Sequence, residues 1–252
     1  MHKYRHRFEE KYFEHNRIDA IAMERLTSSK HVVDIYSHCG NSVSMELEDK
    51  ESFLSLADKA RGSTKIRLAQ DIAEGIADIH SIDGSKYATL THFNINLSNV
   101  VVVNGTIKLK DFSIAALRKW NTTSDQPCGF SSRFPDPGYA NPLLLSPEET
   151  KDSQFLTEKV DVYAMGIIFF QLICPVAPKS MKSGKELVIP PFVFERTDFA
   201  TVALRDAMLA ACTSSPNKRP SARDIAHKLH SALKFAKDKE REVKQRRRRK
   251  RR

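Results

Sequence analysis

The sequence predicts an α+β fold in which a short strand-bearing segment precedes a mostly helical body. Three observations carry that prediction. Apolar residues recur at helical spacing through residues 64–80, where Ile66, Ala69, Ile72, Ala73, Ile76 and Ile79 line one stripe. Two apolar runs, Val100 to Val103 and Ile107 to Leu109, flank Asn104-Gly105, a pair that favours a tight hairpin because both turn residues need positive φ. Helical patterns then dominate the second half, over residues 160–173, 199–212 and 221–237.

Residues 17–29 place Ile18, Ile21, Ala22 and Leu26 near helical spacing and read as the first helix. Residues 31–47 alternate as two strands around Gly40-Asn41. The helix over 64–80 starts with Ser63 or Thr64 as its cap. After the hairpin, residues 114–158 are rich in Pro, Ser, Thr and Asp and read as a long loop. Ser221 opens the last helix. Lys/Arg crowding from Lys234 onward predicts a disordered basic end. The expected organisation is a polar segment over 1–14, one domain over 15–237 divided at 47/48, and a basic disordered tail over 238–252.

The totals exclude several classes. At 252 residues and 40% hydrophobic content the chain can bury a real core. Cys39, Cys128, Cys174 and Cys212 lie far apart and suggest neither a zinc site nor a disulfide framework. Free thiols and a polar N-terminus predict a cytoplasmic or nuclear protein. The longest apolar run, Val162 to Ala177, falls short of the ~20 residues of a membrane helix and reads as a buried core helix. Of the formal net charge of +10, a net +7 lies from Asp238 onward, where ten Lys/Arg face three acids.

The stretch THFNINLSNVVVVNGTIKLKDFS, residues 91–113, carries the chemistry. His92-Phe93-Asn94 with Asn99, followed by Asp111-Phe112-Ser113, resembles the H-R-D-x-x-x-x-N catalytic loop and D-F-G metal loop of the eukaryotic protein kinase superfamily. Ser146-Pro147-Glu148, Asp161-Val162-Tyr163-Ala164-Met165-Gly166 and Pro216-Asn217-Lys218-Arg219-Pro220-Ser221 follow in the order of that family's later segments. The resemblance covers roughly residues 15–235 and implies a kinase-like fold. Its large lobe is mostly helical and its small lobe is truncated to one helix plus about two strands.

It also implies roles, position by position. Asn94 stands where the catalytic Asp accepts the substrate proton, and an amide cannot act as a carboxylate base. Asn96 stands where many Ser/Thr kinases place a phosphate-contacting lysine, and Phe93 replaces an arginine that meets an activation-loop phosphate. Asn99 and Asp111 are oxygen donors of the type that hold Mg²⁺; the alternative is a loop Asn and a hairpin-end Asp with structural hydrogen bonds. His92 and Phe112 are packing residues, and Ser113 replaces a glycine. Met45, Glu46 and Leu47 would form the hinge that meets adenine, or simply a strand end. Glu24 would be the helix glutamate of an ion pair, or a solvated helix-face acid. Glu148 would pair with Arg219, and Asp161 would cap the catalytic-loop backbone. A Gly-rich loop and strand lysine are missing: the first glycine is Gly40, and three strands of ~5–6 residues do not fit ahead of Glu24.

Three functional expectations follow. The first is a catalytically impaired pseudokinase, a regulatory or docking scaffold for protein partners. The second is a fragment of a kinase transferring the ATP γ-phosphate to protein Ser/Thr/Tyr, with ATP and Mg²⁺ as cofactors if binding is retained. The third is a nuclear or nucleic-acid-associated protein acting through residues 246–252, whose basic run suits an importin, a nucleic-acid backbone or another anionic surface. The basic tail favours the nucleus over the cytoplasm; a solvated tail without a partner is the bland alternative.

Overall fold

The structure is a computed structural model that describes residues 10–39, 42–84, 86–130, 145–151, 156–174, 182–183, 186–187 and 189–250. The order is α1 (Glu10–Arg25), β1 (Ile35–Cys39), β2 (Ser42–Met45), α2 (Phe53–Lys59), α3 (Ser63–His80), β3 (Leu90–Thr91), β4 (Val100–Val103) and β5 (Thr106–Leu109). Short strands β6 (Ala116–Leu117), β7 (Trp120–Asn121) and β8 (Gln126–Pro127) follow, then α4 (Lys159–Ile173), β9 (Lys182–Ser183), β10 (Glu186–Leu187), α5 (Phe192–Glu195), α6 (Phe199–Ala211) and α7 (Ala222–Lys250). Among the described residues every sheet is two-stranded and antiparallel: β1–β2, β3–β6, β4–β5, β7–β8 and β9–β10. The α+β class and its helical bias match the sequence expectation.

The core is built on α3 and α4. The α3 stripe is fully buried and packs on α4, α6, α7 and β5. Helix α4 is apolar nearly all round and buried nearly all round, which is how a core helix reads. No helix among the described residues is long and apolar enough to cross a membrane. Two glycines permit close approach. A Cβ on Gly75 of α3 would lie 2.9 Å from the His31 carbonyl oxygen, and one on Gly166 of α4 would lie 2.5 Å from Cys212 Sγ. His31 in turn accepts from Leu109 N (2.9 Å) and bonds Ile107 O through Nδ1 (3.0 Å), tying the β1 approach to β5.

The β4–β5 hairpin turns on Asn104 (φ 49°) and Gly105 (φ 73°), as a two-residue primed turn requires. Asp49 accepts from both turn amides, at 3.0 and 2.9 Å. Elsewhere the boundaries move. Helix α1 starts earlier and ends earlier than the 17–29 periodicity suggests; it buries Ala20, Ala22 and Met23, and Leu26 is buried just past its end. The Gly40-Asn41 turn lies outside the described residues. Helix α2 has no counterpart in the sequence reading because its seven residues span too few turns to show a period. The expected loop over 114–158 contains β6 to β8.

Two expectations differ from the structure. The N-cap of α3 is Gly62 (φ 52°), not Ser63 or Thr64, and it has no side chain with which to cap. Glu240 supplies the missing acceptor: its Oε1 takes the Ser63 N–H (2.9 Å) and its Oε2 takes the Ser63 hydroxyl (2.9 Å). A carboxylate there also suits the positive end of the α3 dipole. Residues 238–250, expected as a disordered tail, are helical: α7 runs unbroken to Lys250.

Candidate active site

The residues around 92–113 are brought together by α3, which delivers the chain to β3, and by the β4–β5 hairpin, which returns it. At the turn after β3, Phe93 adopts φ 61°, an uncommon conformation for a bulky residue. Asp161 at the start of α4 holds this turn. Its carboxylate accepts from His92 N (2.8 Å) and Phe93 N (2.9 Å) and bonds His80 Nε2 (3.0 Å) while almost wholly buried. Three partners at one buried carboxylate satisfy it in place of water.

His92 is buried, and burial holds its pKa below the usual imidazole value. Its Nδ1 accepts from Asn94 N (3.2 Å), which leaves the proton on Nε2 to donate to Lys110 O (3.2 Å). The ring lies 4.6 Å from that of Phe112, so both belong to the packing of the site. Phe93 joins a second apolar cluster with Ala116, Phe130, Leu156 and Val160. Arg118 stacks over the Phe130 ring and pairs with Glu158 at 2.9 Å.

Asn94 places its side-chain amide between neighbours. Asn94 Oδ1 accepts from Asn96 Nδ2 (2.9 Å), which fixes the amide's orientation, and Asn94 Nδ2 donates to Asp111 Oδ2 (3.1 Å). Asn99 is buried and donates through Nδ2 to Asn94 O (2.8 Å), and Asn96 Nδ2 donates to the same carbonyl (3.0 Å). Asn96 Oδ1 also caps the short 3₁₀ turn Leu97–Asn99 by accepting from Ser98 N (2.9 Å). The other Asp111 oxygen, Oδ1, accepts from the Ser113 hydroxyl (2.6 Å). Asp111 itself has φ 67°.

A divalent cation at Asn99 and Asp111 would need oxygen lone pairs facing it. Here each Asp111 oxygen receives an N–H or O–H donor, and the amide hydrogens of Asn94 carry partial positive charge toward the carboxylate. Each Asp111 oxygen thus already has one of its two lone pairs engaged by a side-chain donor, where a divalent cation would compete for the same carboxylate.

The helix acid facing this loop is Asp19, not Glu24. Asp19 Oδ1 accepts from Phe112 N (2.6 Å), while Glu24 is exposed. The reason is helical phase: Asp19 and Met23 lie four residues apart on the buried face, and Glu24 is one step round from it. Burial pushes the Asp19 carboxyl up to about 6; the Phe112 amide opposes that and the Asp111 charge adds to it. The usable signal was the spacing of Asp19 to Met23 and Ala22.

At the hinge positions, Met45 is partly buried against the core, Glu46 binds Lys108 Nζ (2.6 Å) and Asp34 N (2.8 Å), and Leu47 is 88% exposed. The Glu46 side chain is therefore occupied on the strand side. Glu148 and Arg219 meet in a two-pronged pair at 2.5 and 2.8 Å, with the Arg219 side chain fully buried. Arg219 also donates to Thr213 O, Lys159 O and Ser214 O, so all five of its N–H groups are used. Its guanidinium lies 5.0 Å from the Tyr163 ring centroid. Glu149, which the sequence reading passed over, is half-buried next to Glu148 and accepts from Ser146 N and Oγ, both at 2.7 Å.

A profile of the protein kinase domain matches residues 3–230. A probable LRR receptor-like serine/threonine-protein kinase of Arabidopsis thaliana is 30% identical over 146 residues, 54% of this chain and 14% of its own length. A dual specificity protein kinase of Dictyostelium discoideum is 23% identical over 175 residues, 67% of this chain and 21% of its own length. A probable receptor-like protein kinase of Arabidopsis thaliana is 25% identical over 233 residues, 81% of this chain and 27% of its own length. The chain thus spans between 14% and 27% of the length of these relatives.

Proposed function

The chain belongs to the protein kinase family, and from that premise we propose that residues 15–237 form a catalytically impaired kinase domain acting as a regulatory or docking scaffold for protein partners. Protein kinase domains use ATP and Mg²⁺ and act on proteins. The observation that carries the impaired reading is Asn94. Its side chain donates to Asp111 and offers no carboxylate where the substrate hydroxyl would lose its proton. Phosphoryl transfer depends on positioning and electrostatics. Asn96, which caps a turn, contributes no positive charge to a transferring phosphate.

The fold elements that a scaffold needs are held independently of catalysis. The Glu148–Arg219 pair ties the segment after 145 to the last helices, and Asp161 holds the catalytic-loop backbone. The test is phosphate transfer from ATP with Mg²⁺ or Mn²⁺, read by mass spectrometry on the chain and on a general protein substrate. No incorporation above background is expected. Turnover on the order of 1 s⁻¹, within the kinase range, would overturn the reading.

A second reading, a piece of an active kinase, is favoured by the short span of the relatives that the chain covers. In a longer form carrying a Gly-rich loop and a strand lysine, Asn94→Asp should raise transfer by roughly 10²–10⁴-fold, the usual worth of general-base help. An unchanged rate would remove Asn94 as the limiting residue. The basic end of α7 supports a nuclear address or an anionic contact beside either reading.

A further inference from the structure

We propose that the metal loop of this chain is closed by an internal latch, in which Asn94 and Ser113 bring to Asp111 the positive charge density that a divalent cation would otherwise supply. The inference rests on reading residues 92–113 as a phosphoryl-transfer frame, and it goes beyond loss of the base to a reason the cation is not needed. Asp111 sits in the left-handed region at φ 67°, a conformation that Asp tolerates but that requires support. The support comes from two donors on opposite oxygens, Asn94 Nδ2 on Oδ2 (3.1 Å) and Ser113 Oγ on Oδ1 (2.6 Å).

Neither donor would exist with the family's residues: an Asp at 94 has no N–H and a Gly at 113 has no hydroxyl. Asn94 is itself clamped, because its backbone oxygen receives both Asn96 Nδ2 and Asn99 Nδ2 and its Oδ1 receives Asn96 Nδ2. On the far side, the Phe112 amide is held by Asp19 Oδ1 of α1 at 2.6 Å. Catalytic loop, metal loop and first helix are thereby joined by hydrogen bonds, beside the packing of Phe112 on His92. Hydrogen bonds to a charged acceptor are the stronger kind, which suits them to this task.

The experiment compares the wild-type chain, Asn94→Asp/Ser113→Gly, and each of these carrying Asp111→Asn. Each is titrated at neutral pH with Mg²⁺ or Mn²⁺ alone. The readouts are melting temperature and amide exchange at residues 111–113, with circular dichroism as the check on folding. The wild type is expected to give no saturable cation response. The double variant is expected to melt lower without cation, since two carboxylates then face each other, and to recover several degrees when cation reaches about 100 times its dissociation constant. That recovery should vanish with Asp111→Asn. A wild-type response abolished by Asp111→Asn would overturn the latch while leaving the kinase frame intact. Silence in both wild type and double variant would overturn the latch together with that frame. If the double variant does not fold, Asn94→Asp alone carries the same comparison.

Discussion

At the residue scale, buried ionisable groups show how much of the molecule is devoted to holding two loops in place. Arg219 illustrates a satisfied charge, with five donors each matched and the Tyr163 ring beneath. Glu149 illustrates a costly one. Burial pushes its carboxyl up to about 7 despite two hydrogen bonds from Ser146, and the nearby charges of Asp161 and Glu148 add to the shift. A carboxyl whose folded pKa lies above its unfolded value near 4.5 binds more protons in the folded state between those two values. Stability from this group is therefore greatest below pH 4.5 and falls as pH rises through 7, by roughly 3 kcal/mol at about 1.4 kcal/mol per unit. Glu149→Gln keeps an acceptor for Ser146 and removes the charge. It should melt higher than wild type above pH 7 and flatten the decline of melting temperature between pH 4.5 and 7. Parallel profiles for the two proteins would mean that Glu149 titrates as an ordinary surface acid.

At the element scale, the fold depends on helices that approach closely enough to exclude side chains. Gly166 faces α6 at a point where an added Cβ would stand 2.5 Å from Cys212 Sγ and 2.9 Å from Ala211 Cβ. Gly166→Ala gains about 1 kcal/mol of helix propensity but overpacks the α4–α6 contact, at a cost of about 1–3 kcal/mol. A net loss in urea midpoint is expected, and a gain would show that the two helices can separate freely. Which elements were legible in the sequence follows from the range of their contacts. The β4–β5 hairpin and the α3 stripe are local patterns, and both appear where the residues place them. The bonds within residues 92–113 span at most 18 residues, so motif spacing brings those residues near one another without fixing which atom donates to which. Asp19 was not legible, because its partner Phe112 lies 93 residues away and the choice between Asp19 and Glu24 turns on one step of helical phase. Nor was the α3 cap, whose acceptor comes from 177 residues downstream. The donors that close Asp111 required side-chain orientations that no spacing specifies.

At the scale of the whole molecule, α7 does two separable things. Its first half buries Ile225, Ala226, Leu229, Leu233 and Ala236 against the body. Its second half carries most of the chain's net charge yet remains attached through Glu240 to the start of α3. A charge run that merely trailed from the domain would need no such clamp, so the clamp and the charge can be tested apart. Glu240→Ala removes the acceptor of the Ser63 amide without removing any Lys or Arg. It should speed amide exchange at Ser63 and Thr64 while leaving the basic run of residues 246–252 in place. Removing residues 246–252 does the converse: Glu240 stays, so Ser63 remains protected, while seven consecutive basic residues are lost. Binding through phosphates weakens with salt in proportion to the charges engaged, at a slope of about −0.9 per phosphate neutralised on duplex DNA. Under the proposal that this run is a nuclear address or an anionic contact, the shortened chain should lose nuclear enrichment and most of the salt dependence of polyanion binding. Unaltered localisation and an unaltered salt slope would leave the basic run as a solvated helix end, and the activity of the molecule would rest on the kinase-like body alone.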